Sequence, residues 1–499
     1  MSDIRVTYTG ILSFVVAILT VILGVVFTLV LTRQLSTEDY GTWGLINGML
    51  IYVTMIGPII SFWATRETSR GIESGKTAVI GSSALSCISV IIYIPIAYFM
   101  GYQTQTDQNV LVFSSILIPA IFLNGILMAI NLGWKPHTIS YGTIIFGFSQ
   151  VIFVIFFVFY LELGVQGAIL TNLFSYFISI TALLIFTREK LRNNFNKIFL
   201  KKWVNLSWLP LYPALSIVID GLGIAIFSII TGSVIGIAFW TVAIVTPGII
   251  SHAGLISRAV YPKLLQGGSR HYLQDNVSQL FYFSLLITGF VITFARPALF
   301  AMNPIYESAV LVVVILSARN FFQVITNVSI MNLGGIETID VEKNTTFKNY
   351  IRSQLFYPHS IKLLQTIISM VALTIGLIIL VNYKIQEIEL LVFWASVTLV
   401  TQIPLSLYLL NLMQKKLEIR FDLKIILKYL GITIVSFGII FVFLENFLDY
   451  NKQVFVFVPN VLFFALLGIL LHVIISYILD SRIRQLVSNI VKELKNKTL

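Results

Sequence analysis

The chain alternates long apolar runs with short polar breaks. A helix of about 20 mostly apolar residues spans the hydrocarbon core of a bilayer. Such runs fall near 10–32, 42–63, 79–101, 110–132, 141–160, 165–187, 209–231, 234–256, 280–301, 308–331, 360–382, 390–411, 427–447 and 455–479. The pattern predicts an all-α integral membrane protein of about fourteen transmembrane helices. The runs at 42–63, 209–231 and 308–331 carry the most polar residues.

Charge tests this count. Short loops on the cytoplasmic side are enriched in Lys and Arg. With the N-terminus inside and the spans alternating, the outside segments hold only Arg33, Lys384 and Lys452. Arg296 and Arg319 fall within spans, and all the rest of the 33 basic residues lie inside. A wrong count would scramble every segment downstream, so count and orientation support each other. The expectation is a multi-pass protein of the cell membrane with both termini cytoplasmic.

Composition agrees. Of 499 residues 57% are hydrophobic and 11% charged, with mean hydropathy +0.91, whereas a soluble chain has about 25% charged residues. A net charge of +11 would suggest nucleic acid in a soluble protein. Here the basic residues sit between spans, so membrane lipids are the expected partner and nucleic acid is not. Cys87 is the single cysteine, which excludes an intrachain disulfide, and no Cys/His cluster has metal spacing. No cofactor is expected. The first run, Ile11 to Leu31, is too long for a signal-peptide core and lacks a small-residue cleavage site, so it reads as a retained helix.

The spans group as six, six and two. This gives an N-terminal lobe (1–190), a basic linker (191–208), a second six-helix lobe (209–411), and a C-terminal helix pair with a basic tail (412–499). The segments 188–208 and 332–359 read as linkers on the anionic inner leaflet. Outside loops are very short, Gly232-Ser233 forming one of them. Transporters often carry repeats, and Gly41-Thr42-Trp43-Gly44 has a weak counterpart in Ile235 to Trp240. Pro58, Pro95, Pro119, Pro213, Pro247, Pro297, Pro404 and Pro459 lie in or near spans. Each can kink a helix in a protein that opens to alternate sides, although proline is also simply commoner in membrane helices.

Catalytic patterns are missing. Gly71-Ile72-Glu73-Ser74-Gly75-Lys76-Thr77 has three residues, not four, before its Gly-Lys, with Arg70 where the glycine belongs. It reads as a polar turn, not an ATP site. The first outside loop holds no acidic pair beyond Glu38-Asp39, and no large outside domain exists for glycan polymerisation or transfer. The sequons at Asn205, Asn276, Asn344 and Asn496 all fall inside and read as chance. The spacings Gly44–Gly48 and Gly232–Gly236 suggest close helix packing.

Charges at membrane depth should face a cavity or a partner. Asp220 lies mid-span in the seventh run, Arg319 mid-span in the tenth, and Arg296 in the outer third of the ninth. Arg33 closes the outer end of the first span and Arg66 the inner end of the second. These five are the candidate substrate-binding residues: a cationic cavity would take an anionic group, and the arginine fork matches phosphate oxygens. The blander alternatives are interfacial snorkelling for Arg33 and Arg66 and a structural Asp220–Arg319 pair. Asn124, Asn131, Gln150, Asn172, His252, Gln323 and Asn327 could bind sugar hydroxyls, but helix–helix hydrogen bonding is the better reading for any one of them.

Several stretches resemble a known family. Thr32-Arg33-Gln34-Leu35-Ser36-Thr37-Glu38-Asp39-Tyr40-Gly41 is similar to the signature after the first helix of polysaccharide-export flippases. So are Gly57 to Arg66, Leu163 to Ala168, and Ile230 to Gly236 followed by Tyr261-Pro262-Lys263-Leu264, although the tyrosine expected after the last glycine is replaced around Ala238-Phe239-Trp240. The family is the oligosaccharide (O-antigen type) flippases of the multidrug/oligosaccharidyl-lipid/polysaccharide exporter superfamily. The resemblance implies a polyprenyl-diphosphate-linked oligosaccharide substrate, flipped to the outer leaflet through a cavity lined by helices one, two, seven and eight. It implies a lipid-tail groove on the last two helices, and glycosyltransferases or a polymerase of the same pathway as partners. The alternatives are a drug or small-cation antiporter of the same superfamily, which favours acidic cavity groups, and a membrane glycan polymerase or transferase.

Overall fold

The computed structural model describes residues 6–69, 71–135, 137–257, 271–337, 349, 351, 353–419 and 422–485. Arg70, the Tyr261 to Leu264 motif, the sequons at Asn344 and Asn496, and part of the 332–359 segment lie outside the described residues. Among the described residues every regular element is helical. In chain order they are α1 (Val6–Gln34), α2 (Thr37–Thr54), α3 (Pro58–Ser69), α4 (Gly75–Thr104), α5 (Gln108–Trp134) and α6 (His137–Tyr160). Next come α7 (Gly164–Thr187), α8 (Lys197–Asn205), α9 (Trp208–Thr231), α10 (Ile235–Gly248), α11 (His271–Thr293) and α12 (Ala295–Met302). The last are α13 (Val310–Gly335), α14 (Tyr357–Asn382), α15 (Glu387–Leu417), α16 (Leu423–Phe447) and α17 (Val454–Leu479).

Among the described residues, twelve helices are long and apolar enough to cross a membrane singly, and the bent pair α2/α3 makes a thirteenth span. The 29-residue α1, with its apolar part Leu19–Gln34, stands where the first expected span lies. The protein is therefore a multi-pass, all-α membrane protein. The expected continuous span at 42–63 is corrected: it consists of two helices bent by 62°. Pro58 opens the second of them without an N–H to continue the ladder.

The chain forms two compact units, Met1–Val242 with Thr366–Leu390, and Ala243–Gln365 with Leu391–Leu499. The basic segment 188–208 lies within the first unit. The core of that unit includes Ile60, Ala78, Ile126, Ile130, Leu183 and Trp203, drawn from α3, α4, α5, α7 and α8. The second unit has a core of Leu273, Phe281, Leu333, Met413, Tyr429 and Ile432, and a further cluster around Phe300, Leu444 and Phe457. Large apolar side chains also face outward, Phe455 being 95% exposed. That is costly in water and expected in lipid.

A stripe of glycines lets α2 approach its neighbours in the first unit. A Cβ at Gly41 would overlap the carbonyl oxygen of Val234, and one at Gly44 would overlap Thr241 Oγ1 on α10. One at Gly48 would lie 3.1 Å from Ile224 Cγ2 on α9. The expected close packing at Gly44–Gly48 is present. The companion reading at Gly232–Gly236 is corrected. Gly236 packs against the Phe227 ring, 2.5 Å from where a Cβ would stand, but Gly232 ends α9 with φ +67 and nothing near it. It is there for the left-handed turn.

In the second unit, Lys428 Nζ donates to Asp480 Oδ2 at 3.1 Å and to the Leu479 carbonyl at 2.6 Å, tying α16 to the end of α17. Burial disfavours the charged Asp480 carboxylate, but Lys428 and the backbone N–H of Arg482 outweigh it and hold the carboxyl below its ordinary value. Two outcomes are expected. Gly44→Val should lower the thermal stability of the detergent-solubilised protein by roughly 1–3 kcal/mol, as overpacking does. Since the folded carboxyl of Asp480 titrates below the unfolded one, its contribution is full above the unfolded value and is lost as pH falls through the folded one. Melting curves between pH 6 and 3 should therefore fall more steeply for the wild type than for Asp480→Asn.

Candidate functional site

The break at 55–57 leaves backbone groups that no helix ladder can pair. In a membrane interior such groups need partners from neighbouring helices or polar side chains. Here the Gly57 N–H bonds the Thr54 carbonyl at 3.0 Å. Thr54 Oγ1 donates to the Leu50 carbonyl at 2.7 Å, and Ser89 Oγ of α4 donates to the Val53 carbonyl at 2.8 Å. Tyr52 Oη donates to the Gly221 carbonyl of α9 at 2.7 Å. The last turn of α2 is thereby held from both sides, and the Phe122 ring lies 3.6 Å from where a Cβ of Gly57 would be.

The Tyr52–Gly221 bond brings Asp220 to the level of the break. Asp220 is exposed in the middle of α9. A carboxylate at that depth is costly against hydrocarbon, so it calls for a polar or aqueous neighbour. Below the break, α3 carries two charges. Arg66 is exposed, with its guanidinium 5.4 Å from the Phe62 ring centroid. Glu67 is 3% exposed and accepts from Trp203 Nε1 at 3.1 Å, with Lys202 Nζ 3.9 Å away. Arg33 stands in the last turn of α1, and Ser36 then caps α2 by accepting from the Asp39 N–H at 3.0 Å. The Arg33-to-Gly41 stretch thus joins two spans, with Glu38 and Asp39 at the positive end of the α2 dipole.

Two candidates lie in the second unit. Arg319, within α13, donates from Nη1 to Gln323 Oε1 at 2.6 Å and to Asn320 Oδ1 at 3.1 Å, both on its own helix. Arg296 is displaced from its expected place within a span: the ninth span ends at Thr293, and Arg296 lies on the short helix α12. Its Nε donates to Glu307 Oε1 at 2.6 Å and its Nη1 to Glu445 Oε1 at 3.4 Å. Its guanidinium stands 4.6 Å from the Tyr450 ring centroid. The Glu307 hydrogen bond raises the Arg296 pKa above its ordinary value. This network sits at one end of an apolar groove of about 520 Å³, lined by Ile292, Val314, Ile434, Phe437 and Phe441 among others.

Most neutral polar candidates join helices. Gln150 Nε2 donates to Asn172 Oδ1 at 3.0 Å, and Ser179 Oγ to Asn124 Oδ1 at 2.9 Å. Asn131, fully buried, donates to Thr187 Oγ1 at 2.7 Å and accepts from Thr138. Asn327 is exposed on α13. Sequence reasoning passed over Tyr52, Glu67 and Trp203. The signal for Trp203 lay in the amphipathic order Lys197-Ile198-Phe199-Leu200-Lys201-Lys202-Trp203, which puts Phe199, Leu200 and Trp203 on one helical face.

No protein-family model matches the chain, and no curated protein is similar to it. Solved structures are. The lipid II flippase MurJ in an inward closed conformation shares 17% identity, with TM-score 0.62 over 95% of this chain and 98% of that one. An inward-facing multidrug resistance MATE transporter of the MOP superfamily shares 12% identity, with TM-score 0.57 over 80% and 95%. A MOP superfamily transporter from Pyrococcus furiosus, described as having a binding pocket of reversed polarity, shares 13% identity, with TM-score 0.52 over 82% and 94%. The chain has the fold of the MOP transporters.

Arg296→Gln should lower thermal stability by up to about 1 kcal/mol, the range of an exposed ion pair, and leave transport per folded molecule unchanged in reconstituted vesicles. Lost transport at unchanged stability would instead give Arg296 a substrate role.

Proposed function

We propose that the protein is a flippase that moves a polyprenyl-diphosphate-linked oligosaccharide across the cell membrane by alternating access, without ATP, for surface polysaccharide or glycoprotein synthesis. The observation that carries this reading is the extent of the fold likeness. The lipid II flippase accounts for nearly the whole chain, whereas the MATE transporter leaves about a fifth unmatched. That fifth is the size of two helices and their flanking segments.

The groove beside α16 supports a lipid substrate. It has room for part of an apolar chain, and it lies on the first of the last two helices, packed against α11, rather than between α16 and α17. Arg66, accessible on α3, offers a fork for a diphosphate, and Arg33 at the end of α1 offers a second. The broken α2/α3 span fits as well, since discontinuous helices in transporters mark substrate sites and moving parts.

A drug or small-cation antiporter is the second reading. The observation that favours it is Asp220, an accessible carboxylate at mid-span beside the break.

Proteoliposomes loaded with a polyprenyl-diphosphate oligosaccharide decide between them. Protein-dependent movement between leaflets without ATP is expected. Arg66→Gln should slow it roughly tenfold, the loss of one or two charge-assisted hydrogen bonds. Export of a small cationic dye that Asp220→Asn abolishes, with no lipid movement, would replace the flippase reading by the antiporter.

A further inference from the structure

The expected surface linker at 188–208 is docked on the first unit. The Asn196 N–H bonds Thr77 Oγ1 at 2.9 Å, Gly75 closes against the Lys190 carbonyl, and Trp203 is fully buried. Docking fixes what the segment shows on its other side. Arg188 and Arg192, four residues apart, line an open pocket of about 420 Å³ whose remaining walls are Leu184, Ile185 and Leu191. Both arginines are exposed, and Ile185 is 70% exposed. Further along, α8 turns Lys197 and Lys201 outward together with Ile198, which is 76% exposed, and Val204. Glu189 is the single acid against six basic residues in 188–208.

We propose that this pocket binds the headgroup phosphate of an anionic phospholipid in the adjacent leaflet, with Leu184 and Ile185 against the start of its acyl chains. Each feature meets one requirement of such a ligand. Two guanidinium forks match the phosphate oxygens. The aliphatic wall at the end of α7 continues the lipid-facing surface of a transmembrane helix. The outward lysines of α8 add attraction to the same anionic surface, about 1 kcal/mol for each basic residue near it. A zwitterionic lipid gains less from two arginines, and a free phosphate leaves the apolar wall uncovered. The proposal concerns a bound lipid and stands apart from the identity of the transported substrate.

The test uses the full-length protein in detergent with a photoactivatable phosphatidylglycerol, and peptide mapping of the crosslink. Labelling within 184–192 is expected, together with a saturable rise in melting temperature that phosphatidylcholine does not reproduce. Arg188→Gln with Arg192→Gln should raise the lipid concentration at half-effect roughly thirtyfold. Both side chains are exposed, so the variant is expected to fold, and its melting temperature without added lipid checks this. Equal labelling by phosphatidylcholine, labelling only outside 184–192, or an unchanged midpoint in the variant would overturn the proposal. Competition by soluble glycerol phosphate at the concentration at which phosphatidylglycerol acts would also overturn it, because the lipid tail would then contribute nothing.

Discussion

A membrane interior offers no water to a backbone carbonyl that has lost its helical partner. That constraint governs the first unit, because its second span is broken at 55–57. The Val53 carbonyl takes a hydroxyl from α4, and the hydroxyl of Tyr52 reaches the Gly221 carbonyl on α9. An unsatisfied polar group at such depth costs several kcal/mol. The break therefore exists only where these partners can reach it. The glycines of α2 make that possible, since α10 and α9 could not approach so closely past larger side chains.

The same constraint sets buried polar residues apart from exposed ones. Gln150 with Asn172, Asn124 with Ser179, and Asn131 with Thr187 and Thr138 join helices. In the second unit Gln402 donates to Thr326 and Ser406 in the same way. Their hydrogen-bonding capacity is engaged by neighbouring helices, and several are wholly buried. Arg66 and Asp220 keep accessible surface. A ligand of this unit would therefore meet a cation and an anion on either side of the break more readily than a ring of amides.

Much of this was legible in the sequence because bilayer thickness sets a length that apolar runs reveal directly. The span positions followed from it, and the Gly44–Gly48 contact followed from the spacing of small residues. The bend was not legible. Pro58 is one of eight prolines in or near spans, and the one local sign that sets it apart from Pro95, inside the continuous α4, is the glycine before it, which permits a break of 62° without dictating one. What decides between them is tertiary: Ser89 and Tyr52 stand ready to pair the exposed groups, and both look like ordinary residues in their own runs. Arg296 shows the converse error. Its run read as continuous through residue 301, but the helix stops at Thr293 and two acids distant in sequence, Glu307 and Glu445, claim the charge. The docking of the linker was illegible for the same reason. Its charge was visible, while the carboxylate that receives Trp203 lay 136 residues earlier.

The two halves of the second span also carry different side-chain ties. Above it, α2 is fastened to α9 and α10 through Gly41, Gly44, Gly48 and Tyr52. Below it, α3 is fastened to α5, where Thr65 Oγ1 donates to the Ala129 carbonyl at 3.0 Å, and to α8 through Glu67 and Trp203. Glu67 is the strongest of these ties. Its Oε1 takes the indole N–H, and among the described residues its buried Oε2 has no hydrogen-bond partner. Withdrawing Trp203 would therefore leave this buried acid with Lys202, 3.9 Å away, as its remaining named partner, which is costlier than losing one exposed contact. The Glu67–Trp203 pair thereby joins α3 to α8, and Arg66 stands on α3 one residue before Glu67. Between the two sets of attachments lie Met55, Ile56 and Gly57, where Gly57 meets the Phe122 ring of α5 and Pro58 restarts the helix at 62° to α2, so the bend fixes the direction in which α3 presents Arg66.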